Sequence, residues 1–282
     1  MGAHARVAGL SLRVLRSPAM VEVDSRPFTL ESEGVIGTLH RPRTSDPFPA
    51  VVLVGGSDGR EPVLSAKRLA EEGFATLSIA YFGRPGLPPS LRDVPLEYFQ
   101  RALDALRQAL TPDHGPLVVL GVSRGSEAAF LAGVHFPDLV SAVVGLVPGN
   151  VVLCSWPPGG AAWTLNGAAL PYVSRFGPIA EDPAAEIPVE KIRGPVLLVS
   201  GGADTVWPST RMAQALASRL RANGHPYPDE HRDLPNAGHW LGASGTRAFP
   251  PDRAMPQTDR GAPVTDPETP LTTVIRFLRR VR

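Results

Sequence analysis

The stretch Leu117-Val-Val-Leu-Gly-Val-Ser-Arg-Gly125 runs a short apolar strand directly into a Gly-x-Ser-x-Gly turn, and Ser126-Glu-Ala-Ala-Phe-Leu-Ala132 continues it as a helix-tolerant segment. That order is the layout of a nucleophile elbow. A serine hydroxyl is a poor nucleophile near neutral pH until a base takes its proton, so the chain must hold Ser123 where an imidazole can reach it. A sharp strand-to-helix turn does this, at the cost of crowding from both sides. Gly121 and Gly125, which lack a Cβ, suit the two flanking positions. With 28 glycines in 282 residues, the bare pattern arises by chance in roughly one chain in five or six. The strand before it and the helix after it therefore carry the inference against the competing reading, an ordinary Gly-rich loop.

Outward from the elbow, apolar runs bounded by turn residues alternate with helical stretches. This is the signature of an α/β chain with a mostly parallel sheet covered on both faces. Residues 35–39, 50–54, 75–80, 117–122, 139–147 and 195–200 read as strands, and 227–234 as a further strand at the sheet edge. Helical spacing marks 63–72, stopped by Gly73, and also 96–110, 210–221 and 271–281. Residues 148–190 are too long for a plain connection and carry Trp156, Trp163, Tyr172 and Phe176. They read as a cap or lid inserted over a pocket, against a plain surface excursion. Residues 241–270 are rich in Pro, Gly, Arg and Asp and read as an extended loop, and residues 1–20 as a tail. One domain is expected over 1–282, because a chain of this length buries a large core.

Composition narrows the class of function. The 28 basic and 27 acidic residues nearly cancel, which gives no electrostatic case for a nucleic-acid partner. Arg279, Arg280 and Arg282 suit a helix C-terminus, whose carbonyls favour cations. The single cysteine, Cys154, excludes an intramolecular disulfide and a Cys-based zinc cage. No metal or cofactor is called for. The longest apolar stretch, 139–147, is too short to span a bilayer, and Arg6, Arg13 and Arg16 break up any secretory signal. Gly2 suggests myristoylation, but Arg6 stands where Ser or Thr is wanted. A cytoplasmic protein is expected.

A serine nucleophile needs a base and a residue that orients it, which in α/β-hydrolases follow in the order Ser, Asp or Glu, His. Asp204, in Val199-Ser-Gly-Gly-Ala-Asp204, lies just after a buried strand, where parallel-sheet enzymes gather their ligand groups. Asp182 and Asp233 are its substitutes. His239, in Pro235-Asn-Ala-Gly-His239, follows the edge strand. Of the other six histidines, His4 is in a tail, His40 and His114 border turns, and His135 sits on the elbow helix. Only His225 and His231 rival His239. Backbone amides of Arg124 and Ser57 are the expected oxyanion-hole donors, Ser57 lying in Val54-Gly-Gly-Ser-Asp-Gly59. That Gly-rich segment lacks the Lys-Ser/Thr ending of a phosphate-cradling loop and the spacing of a dinucleotide fingerprint.

Four motifs in order make a more specific signal: Gly55-Gly-Ser-Asp-Gly59, Ala80-Tyr-Phe-Gly83, Pro95-Leu-Glu-Tyr-Phe99 and Gly121-Val-Ser-Arg-Gly-Ser-Glu127. On these the chain resembles the C-terminal catalytic domain of acyl-CoA thioesterases and bile acid-CoA:amino acid N-acyltransferases. The likeness runs over roughly residues 30–240 and includes Gly202-Ala-Asp-Thr-Val-Trp207 and Ala237-Gly-His239. It implies an α/β-hydrolase domain acting on acyl thioesters of coenzyme A or an acyl carrier protein, with Ser123, Asp204 and His239 in the matching triad positions. The family's eukaryotic members place a β-sandwich before this domain, for which the stretch preceding Ala50 is too short. Members that transfer acyl groups to amines can carry cysteine, so Ser123 favours water as acceptor. Transfer to an amine or hydroxyl, cyclisation by the chain's own hydroxyl, and ester hydrolysis of the dienelactone-hydrolase kind stand as alternatives. A ligand receptor on a hydrolase scaffold is the reading without catalysis. Such a receptor is expected to lose a triad member or an elbow glycine, and all are present.

Overall fold

The computed structural model describes residues 20–44, 49–111, 115–174, 183–241 and 269–281. In chain order the elements are β1 (Val23–Phe28), β2 (Ile36–Pro42), β3 (Ala50–Val54), α1 (Val63–Glu71), β4 (Thr76–Ala80), β5 (Val94–Pro95), α2 (Glu97–Leu110), β6 (Leu117–Val122) and α3 (Arg124–His135). There follow β7 (Ala142–Leu146), β8 (Trp163–Leu165), β9 (Ala168–Ala169), β10 (Val196–Gly201), α4 (Ser209–Ala222), β11 (Asp229–Leu234) and α5 (Pro270–Leu278). Eight strands form one sheet in the order β1-β2-β4-β3-β6-β7-β10-β11. From β4 to β11 every pairing is parallel, while β1 and β2 add antiparallel to one side.

Period-two alternation explains why the central strands are apolar throughout. Ala50, Val52 and Val54 of β3 join the core under α2, α3 and α4, whereas Val51 and Leu53 join the core under α1 and α5. Strands β6 and β10 divide in the same way: Val119 and Leu198 face one layer, Leu120 and Val199 the other. Each fully buried Val or Leu contributes about 1.5–3 kcal/mol. Close approach of helix to sheet needs a missing side chain at Gly145, where a Cβ would lie 2.4 Å from the Phe130 ring. This is the doubly covered α/β-hydrolase architecture that the sequence pattern implies.

The structure corrects several element boundaries. Residues 139–140 are not strand: their amides bond to the Phe136 carbonyl, and β7 begins at Ala142. Strand β1 went unread because its side chains are mostly exposed and it contains Pro27. An edge strand needs neither an apolar face nor every ladder donor. Residues 148–174 and 183–190 leave β7 and return through the 3-10 turn Val189–Lys191. On the way β8 pairs with β5 and β9 to make a small second sheet. Trp163 of this excursion opens β8. It is fully buried and packs against Tyr81 and Phe99. Phe176, most of the expected 241–270 loop, and nearly all of the expected 1–20 tail lie outside the described residues. No helix among the described residues is long and apolar enough to cross a membrane, and no His, Cys, Asp and Glu cluster among them could hold a metal ion.

Candidate active site

Six parallel strands end at one rim of the sheet, and the candidate groups sit in the loops that follow them. After β6 the backbone turns sharply at Ser123, whose φ of 55° and ψ of −122° fall in a region costly for a residue with a Cβ. The strain is held by a bond on either side: the Ser123 amide donates to Leu146 O (2.9 Å), and its carbonyl accepts from the Ser126 amide (2.8 Å) and Oγ (2.6 Å). The elbow glycines are steric necessities. A Cβ on Gly121 would meet Gly125 O at 2.0 Å, and one on Gly125 would meet Gly55 O at 2.3 Å and Val54 O at 2.4 Å.

The Asp204 and His239 loops press backbone against backbone. Gly202 N donates to Leu234 O (2.9 Å) and Ala203 N to Ala237 O (3.0 Å). A Cβ on Gly201 or Gly202 would fall 2.5 Å from a carbonyl of the facing loop. This seam brings His239 Nδ1 to 2.9 Å from Asp204 Oδ2 and His239 Nε2 to 2.9 Å from Ser123 Oγ. A carboxylate oxygen accepts, so Nδ1 carries the hydrogen and the Nε2 lone pair faces the serine hydroxyl. That tautomer lets Nε2 take the serine proton. Both the Asp204 and His239 side chains are buried, so water does not compete for these bonds.

Trp207 braces the set in three ways. Its amide (3.2 Å) and that of Val206 (3.0 Å) donate to Asp204 Oδ1, leaving Oδ2 for the imidazole. Its indole N–H donates to Val147 O (3.2 Å), and its ring meets the His239 ring edge to face. Val147 itself has φ 42°, unusual for a β-branched residue. The Val147 amide bonds to Val199 O.

Arg124 opens α3 directly after Ser123, and the first turn of a helix directs its amides outward along the axis. Its side chain does separate work. The guanidinium is buried, pairs with Glu127 at 2.7 Å, and donates to Cys154 O (2.9 Å) and Leu153 O (3.0 Å). Glu127 in turn accepts from the Leu153 amide (3.2 Å) and the Trp163 indole (3.0 Å). Burial pushes the Glu127 carboxyl up from its ordinary range, and the Arg124 charge opposes that. The pair thus fastens the 151–163 part of the excursion to the elbow helix. Sequence reading missed this role of both residues. The available signal was a carboxylate in a helix that is apolar all round, three residues after an arginine.

The rival residues are occupied elsewhere. His225 bonds to Ile192 O, and His40 to Ser25. Asp233 accepts from Ser200 (2.7 Å) and Thr210 (2.6 Å), while His231 Nε2 lies 2.8 Å from the same Ser200 hydroxyl. Asp182, His4 and His114 lie outside the described residues. Burial lowers the pKa of both His40 and His231. The fold therefore favours their neutral rings, a stabilisation fully present above the ordinary imidazole value and lost as pH falls through it toward the lowered one. Melting temperature is expected to decline between about pH 7 and about pH 5, and the paired change His40→Asn and His231→Asn to flatten that decline. Thermal melts across that range check this.

Comparison with known proteins now bears on the site. Residues 163–245, which include Asp204 and His239, match the family model described as BAAT / acyl-CoA thioester hydrolase C terminal. Human acyl-coenzyme A thioesterase 6 is 31% identical over 233 residues, covering 78% of this chain and 54% of the relative. Over most of its length the chain is similar to acyl-CoA thioesterases. Mouse acyl-coenzyme A thioesterase 6 is 33% identical over 219 residues, covering 73% of this chain and 52% of the mouse protein. The chain thus spans about half the length of the curated relatives it matches. A putative dienelactone hydrolase from Klebsiella pneumoniae shares the fold of this chain, with TM-score 0.56 at 20% identity over 79% of this chain and 89% of that one.

Proposed function

We propose that the chain hydrolyses acyl thioesters through an acyl-serine intermediate. The observation that carries this reading is the unbroken hydrogen-bonded line from Asp204 through His239 to Ser123. His239 Nε2 takes the proton as Ser123 Oγ bonds to the thioester carbonyl carbon. When the tetrahedral intermediate collapses, the carbon–sulfur bond breaks and the same proton passes to the departing thiolate. Water then repeats the sequence on the acyl-serine, releasing the acid. Asp204 holds the imidazole in the tautomer required and offsets the charge it gains. Amides of Ser57 and Arg124 donate to the oxyanion, each worth about 3–4 kcal/mol in the transition state. The relatives' printed names favour coenzyme A over carrier-bound pantetheine as the thiol.

Intact-mass spectrometry during turnover of a short panel of acyl-CoA and acyl-pantetheine substrates tests the reading. The expected result is a mass increase equal to the acyl group, decaying in water alone. If the adduct persists in water but vanishes on adding an amine or alcohol, the chain is an acyltransferase. If no thioester or simple ester yields an adduct while ligands still bind, it is a receptor.

A further inference from the structure

Tyr81 is fully buried yet keeps its hydroxyl at the active-site rim. It follows β4, and its ring is locked by Phe82, Phe99 and Trp163 at centroid distances of 5.0, 5.6 and 5.9 Å. The hydroxyl donates toward two consecutive carbonyls of the loop after β3, Gly56 O at 2.7 Å and Gly55 O at 3.0 Å. Burial raises the phenol pKa well above its ordinary value, so the group stays a donor. Gly56 O also accepts from the Gly59 amide at 3.2 Å, which closes the loop on itself.

The peptide bonds of this loop are trans, and in a trans peptide the C=O and the N–H point in opposite directions across one plane. A hydroxyl that fixes the Gly56 carbonyl therefore also fixes the Ser57 N–H, turned away from Tyr81. Fixing the Gly55 carbonyl sets the Gly56 N–H in the same way. Gly56 also faces the nucleophile itself: the direction a Cβ would take from it leads to Ser123 Cβ at 3.5 Å and Oγ at 3.9 Å. The loop is thus clamped between a buried phenol and the serine side chain.

We infer that Tyr81 is a positioning residue for the oxyanion hole, setting the orientation of the Ser57 amide through the carbonyl on the other side of the same peptide. The inference rests on the acyl-serine reading above. Donors stabilise an oxyanion only when they are aimed before charge develops, and glycines at 55 and 56 leave this loop without rigidity of its own.

The test is Tyr81→Phe, which keeps the ring and its packing and removes only the hydroxyl. Its readouts are the affinity of an alkyl boronic acid, which forms a tetrahedral adduct on the serine, together with kcat, KM and Tm on one acyl-CoA. Boronate affinity and kcat are expected to fall together by about 10- to 100-fold, with KM nearly unchanged. Replacement of Tyr81 by 4-aminophenylalanine, which restores an N–H donor of similar reach, should recover much of both. Equal boronate affinity and kcat in a folded Tyr81→Phe protein would overturn the inference alone. A wild-type protein that captures no boronate would overturn the acyl-serine reading, and this inference with it. Should the Phe variant not fold, 4-fluorophenylalanine at position 81, which fills the hydroxyl's place without a hydrogen to donate, carries the test. A partial loss of boronate affinity matched in kcat upholds the assignment, and unchanged values overturn it.

Discussion

Ser123→Ala is expected to lower kcat for thioester hydrolysis by about 10⁴- to 10⁶-fold and to remove both the acyl adduct and labelling by a fluorophosphonate probe. The size follows from the geometry. The hydroxyl is the atom that His239 Nε2 faces at 2.9 Å, and no other side chain among the described residues is bonded to that nitrogen's side of the ring. What survives the substitution is substrate binding and the oxyanion donors, which by themselves still exceed catalysis by water. The fold should be nearly unaffected, since the backbone bonds that hold the elbow use the residue's amide and carbonyl. Stopped-flow thiol release and probe labelling, with a thermal melt as control, give the measurement. A mutant that retained a tenth of the wild-type rate would place the nucleophile elsewhere.

The second large effect is on stability. Gly121→Ala should cost more than about 4 kcal/mol, a large part of the margin a domain of this kind has. The added methyl would sit 2.0 Å from Gly125 O, 2.3 Å from its carbonyl carbon and 2.6 Å from the Ser126 amide. All three are backbone atoms, so no rotamer change relieves the overlap. Relief means sliding the start of α3, whose residues from Arg124 to Val134 are all buried, away from the strand that feeds it. Gly224→Ala is the matched control. Its φ is 62° and nothing lies within 4 Å of the new methyl, so only the left-handed backbone penalty of about 1–2 kcal/mol applies. Urea unfolding should separate the two variants clearly, and equal midpoints would mean that the elbow tolerates a side chain.

How much of this was legible depended on the distance over which each feature is encoded. The elbow was readable because strand, turn and helix are contiguous and the two glycines flank the serine directly. Asp204 and His239 were readable because each follows a strand end in the required order. Tyr81, Trp207 and the Arg124–Glu127 pair were not. Tyr81 lies 25 and 26 residues from the carbonyls it holds, and Glu127 lies 36 residues from Trp163. Local pattern marks Glu127 only as a carboxylate in an apolar helix three residues after an arginine, and for none of these residues does it name the distant partner. Strand β1 escaped for a different reason, since an exposed edge imposes no apolar alternation.

By itself the sequence determined the alternation of buried strands and amphipathic helices, because period-two and 3.6-residue patterning is written by near neighbours and burial on both faces leaves strands apolar throughout. It also determined the turn that lifts Ser123 out of the sheet, since only residues without a Cβ pass each other there. Tertiary structure alone decided how that hydroxyl and an imidazole 116 residues away come within hydrogen-bond distance, and which buried groups hold the loops in place. The strand order β6-β7-β10-β11 sets that meeting. It arises from closing long loops and packing two helix layers together, a balance over the whole chain that no local stretch of residues contains.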